Sequence, residues 1–384
     1  MRPTAGVALV ILALAACDDS TDPGTGAVEV TTVATGSGLD TDGYVVEVVG
    51  AGTLAIGTNA TATFDEVPAG DLEIRLTGVR GNCSVQAPHP LLVRVTAGET
   101  IRTRFDVACE QTPLLDRIVF SSLLDGTYQL YSMNVDGTDV VQLTHTPEEE
   151  REVLPAVSPD GRKIAFVNRI GPEDDFYTEY LYVMNADGTD PVRLSPPSGG
   201  AVGAPVWSPD GSQIAFSGWF GDAEYDIWVI DAEGAGLTNL TESPGVEEYS
   251  PSWSPDGERV LFAAGGRLET MRSDGTGRAE LTDVVVGLAV WSPDGTRIAY
   301  VTSVEEHDRL YTMSADGSDR VPVTAMDDGH DAAPSWSPTG DRLAFIHSLN
   351  GDIEIWVINA DGSGAVNISD NEVFDYLGMQ AWGP

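Results

Sequence analysis

The sequence predicts an all-β protein, in which a small antiparallel β-sandwich is followed by a six-bladed β-propeller closed by its C-terminal strand. Two observations support this fold class. Residues 27–110 alternate apolar and polar side chains with period two, and from residue 117 onward one unit of four predicted strands recurs. Alternation indicates half-buried strands, and a repeat of roughly 40–50 residues with four strands is typical of a propeller blade.

The N-terminus, MRPTAGVALVILALAAC, has the features of an export signal. Arg2 gives it a positive start, and the apolar run at residues 7–16 is too short to span a bilayer as a mature helix. The run ends in LAAC, which resembles the bacterial lipobox and implies a lipoprotein signal peptide (residues 1–16) with lipid on Cys17. An ordinary secretory signal is the alternative. The polar, turn-rich residues 17–26 are predicted to be a flexible tether.

The predicted sandwich, residues 27–110, consists of short alternating strands separated by turn residues. One segment, VPAGDLEIRLTGV at residues 67–79, resembles the Ig-like or PEGA-like modules of envelope proteins, which implies a spacer or adhesion unit. Exported proteins fold in an oxidising compartment, so Cys83 and Cys109 are predicted to form a disulfide.

A pentapeptide marks the first two strands of each predicted blade. It occurs as WSPDG at 207–211, 253–257 and 291–295, as VSPDG at 157–161 and as WSPTG at 336–340. Proline, aspartate and glycine in this order are turn residues. Because five nearly equivalent copies do not suit a single active site, we interpret the motif as turn chemistry and not as a catalytic signature.

The number of blades follows from the third strands. Six Asp-Gly or Glu-Gly hairpins predict six third strands, whereas the pentapeptide predicts only five first strands. The sixth first strand is expected at Trp382, near the C-terminus, where it would complete the N-terminal blade and close the ring. The sequence therefore predicts six blades across residues 114–384.

These units resemble the WD-like repeat of the TolB C-terminal domain. The resemblance rests on WSPDGTRIAY at 291–300, IWVINADGSG at 355–364 and terminal Leu-Thr pairs such as residues 240–241. It implies a TolB-like propeller in a lipoprotein of the cell envelope, on the periplasmic side or at the cell surface. The N-terminal domain expected of TolB is replaced here by the predicted sandwich, so the partners of TolB do not carry over directly.

The charge restricts the partners. The chain has 60 acidic and 20 Lys or Arg residues, a net charge of -40. Such a surface repels nucleic acid and anionic headgroups and suits cations or basic partners, although a merely solvated acidic surface is the alternative. Contact with a membrane is expected through the lipid anchor alone.

Strand order places the long, acidic and aromatic loops on one face, around the mouth of the predicted central channel. Five residues before each tryptophan position, the chain has Glu152, Val202, Glu248, Val286, Asp331 and Leu377. Three convergent carboxylates, Glu152, Glu248 and Asp331, would suit a hard cation such as Ca²⁺, and chance alternation is the competing interpretation. His330 is expected on the same face.

The chain has no G-x-S-x-G elbow and no H-E-x-x-H spacing. The leading hypothesis is a monomeric, non-enzymatic, lipid-anchored binding or scaffold protein, whose acidic face binds an envelope protein, a cationic peptide or a glycan. The alternative is a glycan- or peptide-processing enzyme with Glu152, Glu248, Asp331 and His330 as acid–base groups at the channel mouth.

Overall fold

A computed structural model describes most of the chain after its N-terminal region. The described residues are 24–36, 43–79, 83–86, 88–109, 113–124, 126–147, 150–171, 178–196, 200–220, 224–282, 287–304, 306–325, 329–369 and 381–384. The predicted signal peptide and Cys17 lie outside them. Within these ranges, no helix has the length and apolar character needed to cross a membrane. The chain divides into two compact units, residues 1–110 and 111–384.

The first unit contains eight strands in two four-stranded sheets. The strands are β1 (Thr25–Gly36), β2 (Tyr44–Val48), β3 (Gly52–Ile56), β4 (Thr61–Pro68), β5 (Gly70–Thr77), β6 (Cys83–Val85), β7 (Leu91–Val95) and β8 (Thr100–Cys109). The sheet orders are β4-β1-β8-β6 and β3-β2-β5-β7.

One core lies between these sheets, as the alternation predicts. Val28 and Phe105 from one sheet, and Val46 and Ile74 from the other, are all buried in it. The predicted disulfide is confirmed, because Cys83 of β6 is bonded to Cys109 directly opposite on β8.

Two details of the first unit differ from the prediction. The long strands β1 and β8 run parallel, whereas an antiparallel sandwich was expected. Alternation reports which face a side chain occupies and carries no information on strand direction. In addition, β1 begins at Thr25, inside the predicted tether, because Thr25 and Gly26 pair with Pro68 and Val67. Neither Thr25 nor Gly26 has an apolar side chain that would indicate a strand in the sequence.

The second unit contains six four-stranded sheets among its described residues, which is consistent with six blades. Sheet 1 comprises β9 (Arg117–Ser122), β10 (Gln129–Asn134), β11 (Val141–Gln142) and β32 (Ala381–Trp382). Sheet 2 comprises β12 (Glu150–Val157), β13 (Lys163–Ile170), β14 (Thr178–Asn185) and β15 (Val192–Arg193). Sheet 3 comprises β16 (Ala201–Trp207), β17 (Gln213–Trp219), β18 (Asp226–Asp231) and β19 (Thr238–Asn239).

The remaining sheets repeat this arrangement. Sheet 4 comprises β20 (Glu248–Trp253), β21 (Arg259–Ala264), β22 (Arg267–Arg272) and β23 (Ala279–Thr282). Sheet 5 comprises β24 (Ala289–Trp291), β25 (Arg297–Val304), β26 (His307–Ser314) and β27 (Val321–Pro322). Sheet 6 comprises β28 (His330–Trp336), β29 (Arg342–Leu349), β30 (Asp352–Asn359) and β31 (Val366–Asn367).

The C-terminal strand closes the ring, as predicted. Ala381 and Trp382 of β32 pair antiparallel with Val119 and Ile118 of β9. The Trp382 indole nitrogen donates a hydrogen bond of 2.9 Å to Asp116, which fixes the strand at the start of the same sheet. The last strand of the chain therefore completes the sheet begun by the first strand of this unit.

The Ser-Pro-Asp-Gly segments are turns, as their composition indicates. In the first copy, Asp160 accepts hydrogen bonds from the Ser158 hydroxyl at 2.7 Å and from the Arg162 backbone N–H at 3.0 Å. Gly161 takes a positive φ of 69°, which only glycine adopts without strain. Two of the indoles that precede these turns join neighbouring sheets: Trp207 donates to the Ala156 carbonyl of sheet 2 at 3.0 Å, and Trp336 donates to the Val290 carbonyl of sheet 5 at 3.3 Å.

Candidate functional site

A cavity of about 620 Å³ lies where the first strands of the second unit converge. Residues from sheets 2, 3, 4, 5 and 6 line it. Small residues such as Gly203, Ala332 and Ala333 alternate in its wall with larger side chains such as Leu154 and Tyr249. The wall is therefore mainly apolar, which suits an inserted peptide segment or another narrow ligand.

Four of the first strands bend into the cavity at the same place. The strand register shifts within β12, β16, β20 and β28, which marks a β-bulge in each. The bulge residues have left-handed backbone conformations, and all four line the cavity: Leu154 (φ 54°), Ala204 (φ 46°), Ser250 (φ 56°) and Ala333 (φ 51°). Positive φ is uncommon for residues other than glycine, so the four bulges hold local strain at the cavity wall.

A proline follows each of these residues, at positions 155, 205, 251 and 334. Proline has no backbone N–H to give to a strand ladder, so it favours a bulge over regular pairing. β24 has no proline at the equivalent place, Ala289, and its register is continuous. These prolines are the sequence signal for the cavity wall, which the turn and strand patterns alone do not predict.

The three carboxylates predicted at the channel mouth occupy equivalent positions, two residues before the bulge residue of each strand. Glu152, Glu248 and Asp331 are at most 1% exposed, and Val202 at the same position of β16 is equally buried. Each bulge inserts one extra residue, which reverses the side-chain alternation between this position and the following tryptophan position. Each carboxylate therefore lies on the same face of its strand as the following tryptophan position, and it is enclosed by protein.

Glu152 is held by hydroxyl groups alone among the described hydrogen bonds. The Thr146 and Thr144 hydroxyls, which follow β11 of sheet 1, donate to its carboxylate at 2.8 and 3.3 Å. Burial raises the pKa of Glu152 to about 7, against the smaller opposing effect of the two hydroxyls. Glu150, on the same strand, adds further repulsion. The side chain thus joins sheets 1 and 2 and changes charge near neutral pH.

Glu248 is neutralised by an ion pair. Arg278 Nη1 lies 2.5 Å from its Oε1 atom. The same guanidinium binds Glu269 of β22 and lies 5.2 Å from the centre of the Phe262 ring. The other five sheets carry tyrosine or tryptophan where sheet 4 has Glu269, so Arg278 and Glu269 replace an aromatic contact made elsewhere in the ring.

Asp331 pairs with a buried histidine. Its Oδ1 atom lies 2.9 Å from His347 Nδ1, and its Oδ2 atom accepts from the Thr324 hydroxyl and from the Leu310 backbone N–H at 3.3 Å. His347 is 5% exposed. Unlike Glu152 and Glu248, Asp331 also lines the cavity.

The structure does not bring these three carboxylates together as a calcium site. Across the described residues, no group of three or more histidine, cysteine or acidic side chains is placed to hold a metal ion. The physical reason is that each carboxylate is turned toward hydrogen-bond donors of its own or the neighbouring sheet. Val286 and Leu377, the remaining positions of the predicted ring, lie outside the described residues.

His330, the fourth predicted residue, lies at the cavity edge with its side chain 53% exposed. Its Nδ1 atom is 3.1 Å from Asp308 Oδ2, and its ring centre is 5.6 Å from that of His307. Neither Asp308 nor His347 is predicted as a site residue by the sequence, because each contact depends on pairing between strands that are distant in sequence.

Exposed apolar side chains stand at the same end of the sheets. They are the last residues of four second strands, and we call them the rim: Ile170, Trp219, Val304 and Leu349. Ala201, the first residue of β16, pairs with Trp219, and His330 pairs with Ser348, next to Leu349. The rim therefore lies at the end where the first strands begin and where His330 borders the cavity. Trp219 is 45% exposed, more than the other three.

Comparisons with known proteins agree with this architecture. A family model described as "TolB beta propeller domain" matches residues 266–377. The Tol-Pal system protein TolB of Alcanivorax borkumensis is 37% identical over 90 residues, which is 23% of this chain. The match spans about a fifth of that relative's length, 19%.

Two solved structures share the fold at low sequence identity. TolB from Acinetobacter baumannii superposes with a TM-score of 0.59 at 19% identity, over 71% of this chain and 68% of the other. A putative TolB from Agrobacterium tumefaciens gives 0.54 at 18% identity, over 70% and 89%. Together with the six sheets, these findings show that the second unit has a β-propeller fold, which is similar to that of TolB.

Proposed function

We propose that this protein is a binding module of the bacterial cell envelope, and that its propeller holds a segment of a partner protein at the rim and in the cavity. The observation that carries the proposal is the cavity itself. Four strained bulges shape its wall, and the exposed apolar side chains of the rim lie at the end of the sheets where the first strands begin. Strain of this kind persists where a site is pre-organised, and exposed aromatic side chains beside a pocket are typical anchors of protein contacts.

The remaining parts of the chain fit this proposal. Lipid on Cys17 would hold the protein at the membrane, and the first unit would act as a spacer. The relatives that resemble the propeller bear the name TolB, one of them a Tol-Pal system protein, which supports an envelope location and a protein partner. A net charge of -40 favours a partner with basic groups, whether a protein segment, a cationic peptide or an amino-substituted glycan. We expect a monomer and no nucleic-acid binding.

The test uses photo-crosslinking in intact cells with the full-length lipoprotein. A crosslinking residue at Trp219 or Leu349 should capture a discrete protein, and the same residue at Val366, on the outer strand β31, should not. Leu349→Asp should reduce the capture at Trp219, while the matched control Val366→Asp, also an exposed apolar residue of sheet 6, should leave it unchanged. Equal capture at all three positions would contradict a binding site at the rim.

A second candidate function is a glycan- or peptide-processing activity at the cavity, which the buried Asp331–His347 pair favours. A carboxylate 2.9 Å from an imidazole beside a cavity is a possible acid–base pair. Turnover of peptidoglycan fragments or peptides that disappears in Asp331→Asn, with folding unchanged, would support this candidate over the binding module.

A further inference from the structure

We propose that Asp308 selects an ammonium or guanidinium group on the bound segment, and that His307 and His330 make this selection depend on pH. This inference rests on the proposed binding function. The three residues lie where β26 of sheet 5 and β28 of sheet 6 meet at the cavity edge. Asp308 and His330 both line the cavity, and the Asp308 side chain is 42% exposed.

The charges around Asp308 leave it available to a ligand. Asp331, the other carboxylate lining the described part of the cavity, is buried and bonded to His347. Arg309, next along β26, donates to the backbone oxygens of Gly329 at 2.8 Å and of Asp308 at 3.1 Å. Its positive charge is thus directed to main-chain atoms. Glu306, on the preceding turn, is exposed and adds negative charge beside the site.

Asp308 is also held in place. The Ser303 hydroxyl of β25 donates to its Oδ1 atom at 2.5 Å, while Oδ2 faces His330. The Asp308 carboxylate is therefore held in one orientation at the edge of the apolar wall. A segment with a lysine, arginine or free amino terminus beside an apolar side chain would contact both the carboxylate and the wall.

One nitrogen of His330 serves two incompatible contacts. Nδ1 is 3.3 Å from the backbone N–H of Asp308 and 3.1 Å from its carboxylate. A neutral Nδ1 accepts the N–H, whereas a protonated Nδ1 donates to the carboxylate. Histidine is the side chain that changes charge between about pH 5 and 8. Acidification therefore pairs His330 with Asp308, and the group that would bind the ligand cation is occupied.

His307 strengthens this effect. Its ring centre lies 5.6 Å from that of His330, and its Nδ1 atom is 3.1 Å from the Gly329 carbonyl oxygen. When protonated, His307 places a second positive charge beside the bound cation. The site should therefore hold a cationic segment at neutral pH and release it when acidified.

The experiment begins with phage-displayed heptapeptides selected at pH 7.5 for binding to the full-length mature protein. Peptides that also bind the Leu349→Asp variant are removed, so the remaining peptides are those that require the rim. These peptides are the probes, and their affinities are measured at pH 7.5 and 5.5. We expect Lys or Arg in the selected peptides and roughly twofold to fivefold weaker binding by Asp308→Asn, the effect of one exposed ion pair. The matched control Glu306→Gln removes the same charge from the adjacent turn and should change affinity less.

The pH arm tests the histidines. Wild-type affinity should fall severalfold between pH 7.5 and pH 5.5, and His330→Gln should lose most of that fall, measured as the ratio of its own affinities at the two pH values. His145→Gln, an exposed histidine far along the chain, should behave as wild type. If the peptides that require Leu349 carried no cationic group, or bound Asp308→Asn as tightly as wild type, selection by Asp308 would be overturned. An unchanged pH response in His330→Gln would overturn the role of the histidines. Failure to recover any rim-dependent peptide would instead overturn the proposed function.

Discussion

Sheets 2 and 4 bury a carboxylate at the same position of the same strand and stabilise it by different means. Glu152 in sheet 2 receives hydrogen bonds from two threonine hydroxyls, whereas Glu248 in sheet 4 faces the guanidinium of Arg278. The equivalent residue of sheet 3 is Val202, so the repeat does not require a carboxylate there. The repeat therefore determines where the side chain goes, while its neighbours determine its charge and its energetic effect.

Removal of the Arg278 side chain should have the largest effect. Arg278→Met leaves the fully buried Glu248 without its countercharge, which typically costs about 3–5 kcal/mol. All eight tryptophans lie in the second unit, so tryptophan fluorescence during urea unfolding reports on the propeller. Adding Glu248→Val, which copies Val202, should recover much of the loss.

The matched control for this change is Arg267→Met. Arg267 also pairs with a glutamate, Glu280, but the two side chains are 56% and 46% exposed. An exposed pair contributes less than about 1 kcal/mol. If both methionine variants lost the same stability, the distinction between the buried and the exposed pair would be wrong.

The pH dependence of stability should separate Glu152 from Glu248. Burial raises the pKa of Glu152 from 4.5 to about 7, so between these values the folded protein binds more protons than the unfolded chain. The contribution of Glu152 is therefore most favourable below pH 4.5 and is lost as the pH rises through 7, a cost of roughly 3 kcal/mol.

Glu152→Gln tests this sign. The variant should match wild type near pH 4.5 and be more stable at pH 8, when unfolding is followed by fluorescence. Glu248→Gln should do the opposite at pH 8, because it removes one member of the ion pair with Arg278. Parallel stability curves for wild type and Glu152→Gln would show that Glu152 titrates normally in the folded state.

Asp331 in sheet 6 represents an intermediate case. His347→Leu removes one donor, but the Thr324 hydroxyl and the Leu310 N–H remain. We expect a loss of roughly 1–3 kcal/mol, the cost of one unsatisfied buried polar group, measured by the same unfolding experiment. His330→Gln, at an exposed histidine of the same sheet, should change stability by less than about 0.5 kcal/mol. A loss as large as that of Arg278→Met would mean that His347 carries a positive charge.

The sequence predicted the ring more successfully than the site. Five pentapeptide turns and Trp382 were sufficient to predict six sheets and closure by β32, because the tryptophan position is a local signal that recurs along the chain. Counting residues placed Glu152, Glu248 and Asp331 at equivalent positions but could not predict that each lies on the same side of its strand as the following tryptophan position, because the bulge between them reverses the alternation. The proline after each bulge residue marks the bulge in the sequence.

The pairing of Asp308 with His330 had no such signal. The two residues lie 22 positions apart on strands of different sheets, and their contact depends on how sheets 5 and 6 meet. The same holds for Arg278 and Glu248, which are separated by two strands of sheet 4. Local periodicity predicts strands and turns, whereas partners of this kind require the three-dimensional arrangement.

The smallest expected effects concern the aspartates of the Ser-Pro-Asp-Gly turns. Asp210 accepts hydrogen bonds from the Ser208 hydroxyl and from the N–H and hydroxyl of Ser212, which lower its pKa to about 2. Asp294 has the equivalent three bonds from Ser292 and Thr296, and its pKa is also lowered. Among the described hydrogen bonds, Asp256 has only those from the Ser254 hydroxyl and the Glu258 N–H, which lower its pKa. Asp210→Ala should cost roughly 0.5–1.5 kcal/mol at pH 7. Because the pKa is lowered, this contribution is present above pH 4 and fades as the pH falls toward 2. Asp294→Ala should give the same loss within error in urea unfolding, and Asp256→Ala a smaller one, because Asp256 has one hydrogen bond fewer. Unequal losses at Asp210 and Asp294 would mean that these turns differ as the buried carboxylates do, and that the repeat does not determine the energetics of either set.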